Sequence, residues 1–226
     1  MKRNTVITID GPAGSGKSTI ARLLAKRLGF TYLDTGALYR AVAYEIKDKG
    51  IDIEDRKRLY EIVKNMDIRF EYDEDDTFIY VNGLEVSEHL RTPEMDMLSS
   101  RISAIKEVRE ALLELQRELA AKGNVIAEGR DMGTVVFPRA KIKFFLTATL
   151  KERAKRRYIQ LKEKGVVVEF EKIMEDLKRR DEQDISRDIA PLRAAKDAII
   201  VDTTEMGIQE VLEKLIFKIK EVELYD

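Results

Sequence analysis

Lys17 and Ser18 close a glycine-rich run, GPAGSGKST, Gly11 to Thr19. The run fits G-x-x-x-x-G-K-[ST], with Gly11, Gly16, Lys17 and Ser18 at the defining positions. Each residue type has a task in holding a polyphosphate. Gly11, Gly14 and Gly16 let the backbone curl so that its N–H groups face one anion. The lysine reaches the β- and γ-phosphates, and the serine hydroxyl can ligate Mg²⁺. A second set of cations lies far along the chain. Arg153, Arg156 and Arg157 share a helix face at i, i+3, i+4. Arg180, Asp184 and Arg187 would share another at i, i+4, i+7 if their helix ran that far. Phosphoryl transfer asks for positioning and positive charge more than covalent chemistry. An acceptor that is itself a phosphate needs cations and no general base. The plainer reading of both arginine sets is a solvated face laced by i, i+4 pairs.

These residues need particular elements around them. Thr5 to Asp10 reads as a buried strand leading into the glycine-rich run, and Ser18 to Leu28 as the helix leaving it, with Gly29 as C-cap. Phe30–Leu33, Val125–Glu128, Ile142–Thr147 and Ala198–Asp202 read as four further short strands. Helices are predicted over Ala37–Lys49, Asp55–Lys64, Leu98–Leu119, Leu150–Lys164, Glu169–Arg180 and Gly207–Glu223. From Asp67 to Val86 the pattern turns strand-like, with hairpin signals in the acidic turn Asp73–Asp76 and in Asn82–Gly83. The prediction is an α/β fold of three layers with a five-stranded parallel sheet, interrupted by a small antiparallel β insertion. In such sheets ligands bind beyond the carboxyl ends of the strands. Asp34, Glu128, Thr147 and Asp202 end the strands that accompany the first one.

Composition narrows the chemistry. The chain has 226 residues, with 41 Lys plus Arg against 42 Asp plus Glu. A near-neutral chain is a poor general nucleic-acid binder. No cysteine is present, so disulfides, zinc–thiolate sites and thiol nucleophiles are excluded. His89 is the single histidine, which rules out histidine-rich metal sites; it reads as a surface or packing residue. No apolar run approaches the ~18 residues of a membrane span, and no signal-peptide pattern opens the chain. A cytoplasmic protein is expected, a monomer, without membrane or nucleic-acid polymer as partner. No N-K-x-D or D-x-x-G pair accompanies the loop, which argues against a GTPase.

Three further runs carry a resemblance: YLDTGALYRA at Tyr32–Ala41, AEGRDMGTVVFP at Ala127–Pro138, and RRDEQDISRDIAPL at Arg179–Leu192. With the glycine-rich loop they resemble, in order and over nearly the whole chain, the bacterial cytidylate kinases among the nucleoside monophosphate kinases. That resemblance implies transfer of the γ-phosphoryl group of ATP to CMP or dCMP, with Mg²⁺. Gly11, Pro12, Ala13, Gly14, Ser15, Gly16, Lys17, Ser18 and Thr19 would hold the ATP phosphates. Thr35 and Arg40 match acceptor-site positions, Arg40 on the CMP phosphate. Ser100, Arg109 and Asp131 match cytosine-reading positions, and Arg130 would sit on the acceptor phosphate. Arg180 and Asp184 match pentose contacts, and Arg187 a position close to the nucleotide. Arg153 and Arg157 fall in the region resembling the mobile helical lid. Lys17, Arg130, Arg153, Arg157 and Arg187 are thus the implied catalytic set. Glu128, where the family commonly has Asp, is expected to meet Mg²⁺ through water or to order Arg130. Thr35 stands where Ser is frequent and keeps the hydroxyl.

Implied boundaries are a core of 1–36, 94–150 and 190–226, an acceptor-binding region of 37–93 with its insertion at about 67–88, and a lid of 151–189. The base chemistry agrees independently. Cytosine offers an N4 amino donor, for which a carboxylate is the natural partner. Ser100 and Arg109 are nine residues apart, on opposite sides of a straight helix of about 3.6 residues per turn. If both touch the base, the helix must break near Ser103–Lys106. The rival readings are a kinase of UMP, AMP or dTMP, and a nucleotide-binding switch without turnover.

Overall fold

The computed structural model describes residues 5–73, 76–90, 92–163 and 165–224. Glu74 and Asp75 of the predicted acidic turn, and Lys164 at the predicted end of a helix, lie outside them. In chain order the elements are β1 (Val6–Asp10), α1 (Lys17–Leu28), β2 (Thr31–Asp34), α2 (Thr35–Asp48), α3 (Arg56–Asn65), β3 (Ile68–Asp73), β4 (Asp76–Val81) and β5 (Leu84–Glu85). Then follow α4 (Ser87–Leu90), α5 (Pro93–Ile102), α6 (Lys106–Ala121), β6 (Val125–Gly129), a π-helical turn at Met132–Val136, β7 (Ile142–Thr147), α7 (Leu150–Glu163), α8 (Phe170–Ser186), β8 (Ile199–Asp202) and α9 (Ile208–Leu224). They group into two compact units, Met1–Leu33 with Leu119–Asp226, and Asp34–Glu118.

The first unit is built on a five-stranded parallel sheet of order β2-β6-β1-β7-β8. Side chains alternate across a strand, and in β1 both sets are buried: Ile7 and Ile9 on one face, Thr8 and Asp10 on the other. Ile7, Ile9, Ile126, Phe144 and Leu146 share a core with Ile20 and Leu24 of α1 and Leu215 and Ile219 of α9. Helix α1 stops at Gly29, whose left-handed φ of 66° lets its N–H return to Ala25 O. A smaller core joins Ala13 of the glycine-rich loop to Ala154 of α7 and Ile173 and Leu177 of α8.

The second unit carries the antiparallel sheet β3-β4-β5. Asn82 and Gly83 turn it with φ of 50° and 85°, as an Asn–Gly hairpin should. The Asn82 amide is fixed on both sides: it donates to Glu45 Oε1 at 2.8 Å and accepts from Asp67 N–H at 3.1 Å. His89 stacks on Tyr44 with centroids 5.6 Å apart.

Two helices differ from their predicted extents. The apolar run Leu98–Leu119 is divided between α5 and α6, with a break at 103–105. Ser103 Oγ donates to Ser100 O at 2.8 Å, and the N–H groups of Ala104 and Ile105 return to carbonyls three residues back. Such serine bonds compete with the regular ladder, and tight i→i+3 bonds end a helix. Conversely, α8 continues past Arg180 to Ser186, so Arg180 and Asp184 do lie on one helix with Arg187 as its C-cap. Apolar periodicity fades there because an ion pair from Asp184 to Arg130, 2.9 Å, replaces an apolar anchor. The one-turn α4 and the π-helical turn have no counterpart in the predicted elements.

Candidate active site

The glycine-rich run forms a tight loop between β1 and α1. A Cβ on Gly11 would stand 2.1 Å from the carbonyl oxygen of Leu146 in β7, so only glycine fits there. Gly16, at φ 87°, caps α1 and turns the helix's first N–H groups toward the loop. Lys17 opens the helix and is buried, its Nζ donating to Pro12 O at 3.1 Å. Burial lowers its pKa from 10.5 to about 7; Arg130 pushes the same way, and Glu128 opposes. Ser18 Oγ donates to Glu128 Oε1 at 2.9 Å, and the Tyr32 hydroxyl reaches the same oxygen at 3.5 Å. Thus a hydroxyl from α1 and a carboxylate from the end of β6 meet beside the loop.

Helix α7 braces this loop. Arg153 is 6% exposed. Its Nη1 donates to Ala13 O and its Nε to Ala148 O, both at 3.0 Å, and its Nη2 pairs with Asp181 at 2.7 Å. Arg156 donates to Thr203 Oγ1 at 3.0 Å and Thr203 O at 2.6 Å, and pairs with Glu152 one turn away at 3.1 Å. The single Thr203 Oγ1 proton is within reach of two carbonyls, Ser15 O of the loop at 3.2 Å and Thr147 O at the end of β7 at 3.1 Å. Arg157 is half-buried on the same helix.

A different arrangement surrounds Asp184 on α8. Arg130 Nε donates to its Oδ2 at 2.9 Å, and Arg187 Nη1 lies 3.9 Å from its Oδ1. Burial would raise the Asp184 pKa, but the charges of Arg130, Arg180 and Arg187 together hold it below 3.8. Burial works against the charge of Arg130, yet Asp184 holds its pKa above the ordinary arginine value. Three guanidiniums therefore face one carboxylate. Two of them, Arg130 and Arg180, are near enough to Lys17 to depress its pKa.

Beside Arg130, Asp131 is 2% exposed. It precedes the π-helical turn, whose Val135 and Val136 N–H groups bond back to Asp131 O at 2.8 and 3.2 Å.

In the second unit Asp34 caps α2, accepting from Ala37 N–H at 2.8 Å, and its other oxygen pairs with Arg40 at 3.2 Å. Thr35, next in line, is buried. The break between α5 and α6 frees Ser100 and Arg109 from a single straight helix: Arg109 Nη1 reaches back to Ser103 O at 3.1 Å, and its guanidinium lies 5.7 Å from the Tyr39 ring centroid.

The structure thus gathers the predicted residues into two sets. The first unit brings together the loop, Glu128, Arg130, Asp131, Arg153, Arg180, Asp184 and Arg187; the second holds Thr35, Arg40, Ser100 and Arg109. Of the strand-end residues, Asp202 is not drawn in, because its carboxylate accepts from Thr204 N–H and Oγ1–H at 2.9 and 2.6 Å. Asp10 and Asp181 take part without having been predicted as site residues, and Asp34, expected only as a strand end, pairs with Arg40. Asp10 had a signal: a lone carboxylate ending an apolar strand immediately before the loop. Asp181 had none, being one acid among many on a charged helix.

A glycine-rich anion loop at the end of a parallel sheet, with a buried lysine, a serine hydroxyl and convergent arginines, defines a P-loop phosphotransferase. The profile of the cytidylate kinase family matches residues 7–221. A cytidylate kinase of Caldicellulosiruptor bescii is 47% identical over 210 residues, covering 93% of each chain. One of Carboxydothermus hydrogenoformans is 49% identical over 210 residues, covering 93% of this chain and 95% of its own. Among solved structures, the shikimate kinase of Acinetobacter baumannii in complex with shikimate matches 96% of this chain and 93% of its own at 16% identity, with a TM-score of 0.48. The chain belongs to the cytidylate kinase family.

Proposed function

We propose that this protein transfers the γ-phosphoryl group of ATP to CMP or dCMP, giving ADP and CDP or dCDP. The observation that carries the reading is the cluster of Arg130, Arg180 and Arg187 around the buried carboxylate of Asp184, close to Lys17. Lys17, Arg130, Arg180 and Arg187 concentrate positive charge among the carboxylates of Asp184, Glu128 and Asp181, the kind of setting that two facing phosphates require.

The loop, Gly11 to Thr19, holds the triphosphate through backbone N–H groups. Lys17, Arg130, Arg157 and Arg187 neutralise charge spread over the transferring group. The bonds of Arg153 to Ala13 O, Ala148 O and Asp181 give it a supporting part: it fixes the loop that holds the donor. Ser18 Oγ and Glu128, 2.9 Å apart, are hard oxygen donors that suit Mg²⁺, which binds few protein oxygens and keeps several waters. Among the described residues no cluster of three or more His, Asp or Glu offers a fuller cage. Mg²⁺, when bound, supplies charge neutralisation between the β- and γ-phosphates.

On the acceptor side, Arg40 and Arg130 take the CMP phosphate, and Arg180, Asp184 and Arg187 take the pentose and its neighbourhood. Asp131 accepts from cytosine N4, while Arg109 and Ser100 donate to N3 and O2, with Thr35 completing the set. Uracil would turn an oxygen toward the Asp131 carboxylate, and an unpaired buried polar group is costly. The protein works as a cytoplasmic monomer on soluble nucleotides.

A coupled ADP-release assay across CMP, dCMP, UMP, AMP and dTMP tests the reading. Release with CMP and dCMP well above UMP is expected. Equal rates for all five, or release that ignores the acceptor, would contradict it.

A further inference from the structure

The turn after Arg130 has an unusual cap. An aspartate at the start of a helical turn ordinarily accepts from the N–H groups just ahead of it. Asp131 occupies that place before Met132–Val136, yet its side chain makes no capping bond. Asp10, from the end of β1, takes the donors instead: Met132 N–H bonds to its Oδ1 and Gly133 N–H to its Oδ2, each at 2.8 Å. Asp10 is 3% exposed, and both its oxygens serve this one turn. There is little slack around it. A Cβ on Gly133 would stand 3.0 Å from Thr8 Oγ1, 3.1 Å from Lys143 Cδ and 3.4 Å from Asp10 Oδ2. The far end of the turn is pinned as well, by Lys143 Nζ donating to Pro138 O at 2.7 Å.

We infer that Asp10 is a specificity-positioning residue: by capping the turn in place of Asp131, it keeps the Asp131 carboxylate from folding onto its own backbone and presents it to the cytosine amino group. The inference rests on the reading of Asp131 as the base reader. It gives the last residue of β1 a task outside phosphate binding. The strand delivers the chain into the anion loop, and its final side chain sets the base-reading acid 121 positions further along the sequence. Asp10 touches no reacting atom in this scheme; it acts through Asp131.

Asp10→Asn is the direct variant. Its amide offers one acceptor where two are needed and turns an NH₂ toward one of the two N–H donors. The kcat/KM ratio of CMP over UMP should fall about tenfold or more, the scale of one lost buried polar contact, while KM for ATP stays unchanged. Asp131→Ala should lose the same selectivity alone, and adding Asp10→Asn to it should lower the ratio no further. Thermal unfolding of each variant shows that it is folded. Should Asp10→Asn not fold, Gly133→Ala, which displaces the same turn by crowding, is read by the same ratio. Unchanged selectivity in the folded variant, while Asp131→Ala loses it, overturns the role of Asp10. So does a raised KM for ATP with selectivity intact, or a further selectivity loss in the Asp131→Ala background. Unchanged selectivity in Asp131→Ala itself overturns the base reading, and the inference with it.

Discussion

Helices α7 and α8 both present arginines near the glycine-rich loop and use them in opposite ways. On α7, Arg153 and Arg156 each make three bonds to carbonyls, a hydroxyl or a single acid, and are bound up in holding the loop and Thr203. On α8, Asp184 is outnumbered, facing Arg130, Arg180 and Arg187. The first arrangement ends in matched partners and reads as a brace. The second gathers arginine charge around one buried acid beside Lys17 and reads as a receptor for anions. Partners decide what each group of arginines does.

Lys17 is the reference both helices serve, and its removal should have the largest effect. Lys17→Ala should lower kcat by about 10³-fold or more while the protein stays folded, since a transition-state charge partner is lost. A rate near wild type in that variant would remove the donor site from the account. Next in size, Arg187→Met should lower kcat by about 10²-fold, as one cation of the set around Asp184. A loss confined to stability would move Arg187 to the bracing class. Arg156→Met should do the reverse, costing about 1–2 kcal/mol in urea unfolding through its lost bonds to Thr203, with little change in kcat.

The smallest effect sharpens the contrast between two buried acids. Asp184, among arginines, has its pKa held below 3.8, so its stabilisation is present above that value and is lost as pH falls through the folded pKa. Asp10 is pushed by burial up to about 7, against the pull of the Gly133 and Met132 N–H groups. Its folded form holds a proton that the unfolded form releases near 3.8. Its contribution is therefore full below about pH 4 and declines as pH rises to about 7. Unfolding followed between pH 4.5 and 7.5 should show that decline in wild type and a shallower one in Asp10→Asn. Equal slopes would remove Asp10 as its source.

The loop and the five strands were legible because their signals are local. Glycines, lysine and serine at fixed spacing describe a backbone shape, and short apolar runs describe buried strands. The break between α5 and α6 was legible only through the chemistry demanded of Ser100 and Arg109; apolar spacing ran straight through it. The end of α8 was not, because what holds its last turn is an ion pair to Arg130, 54 positions away. The same holds for Arg153. Its spacing from Arg156 and Arg157 said that a cationic face existed, but its partners Ala13 O and Asp181 are set by tertiary structure alone. Asp10 carried a local signal, a lone carboxylate ending an apolar strand, but its partner Met132 N–H lies 122 positions away.

Arg130→Met and Arg153→Met, each followed by kcat with CMP and by urea unfolding, test most directly the claim that partners divide these arginines into two jobs. Arg130→Met should lose about 10²–10³-fold in kcat, as a cation acting on transferred charge. Arg153→Met should lose about 3 kcal/mol of stability, through its broken pair with Asp181 and the unmet Ala13 and Ala148 carbonyls, and less than about tenfold in kcat. The opposite ranking, with Arg153→Met the more damaging to kcat and the less damaging to stability, would contradict the account.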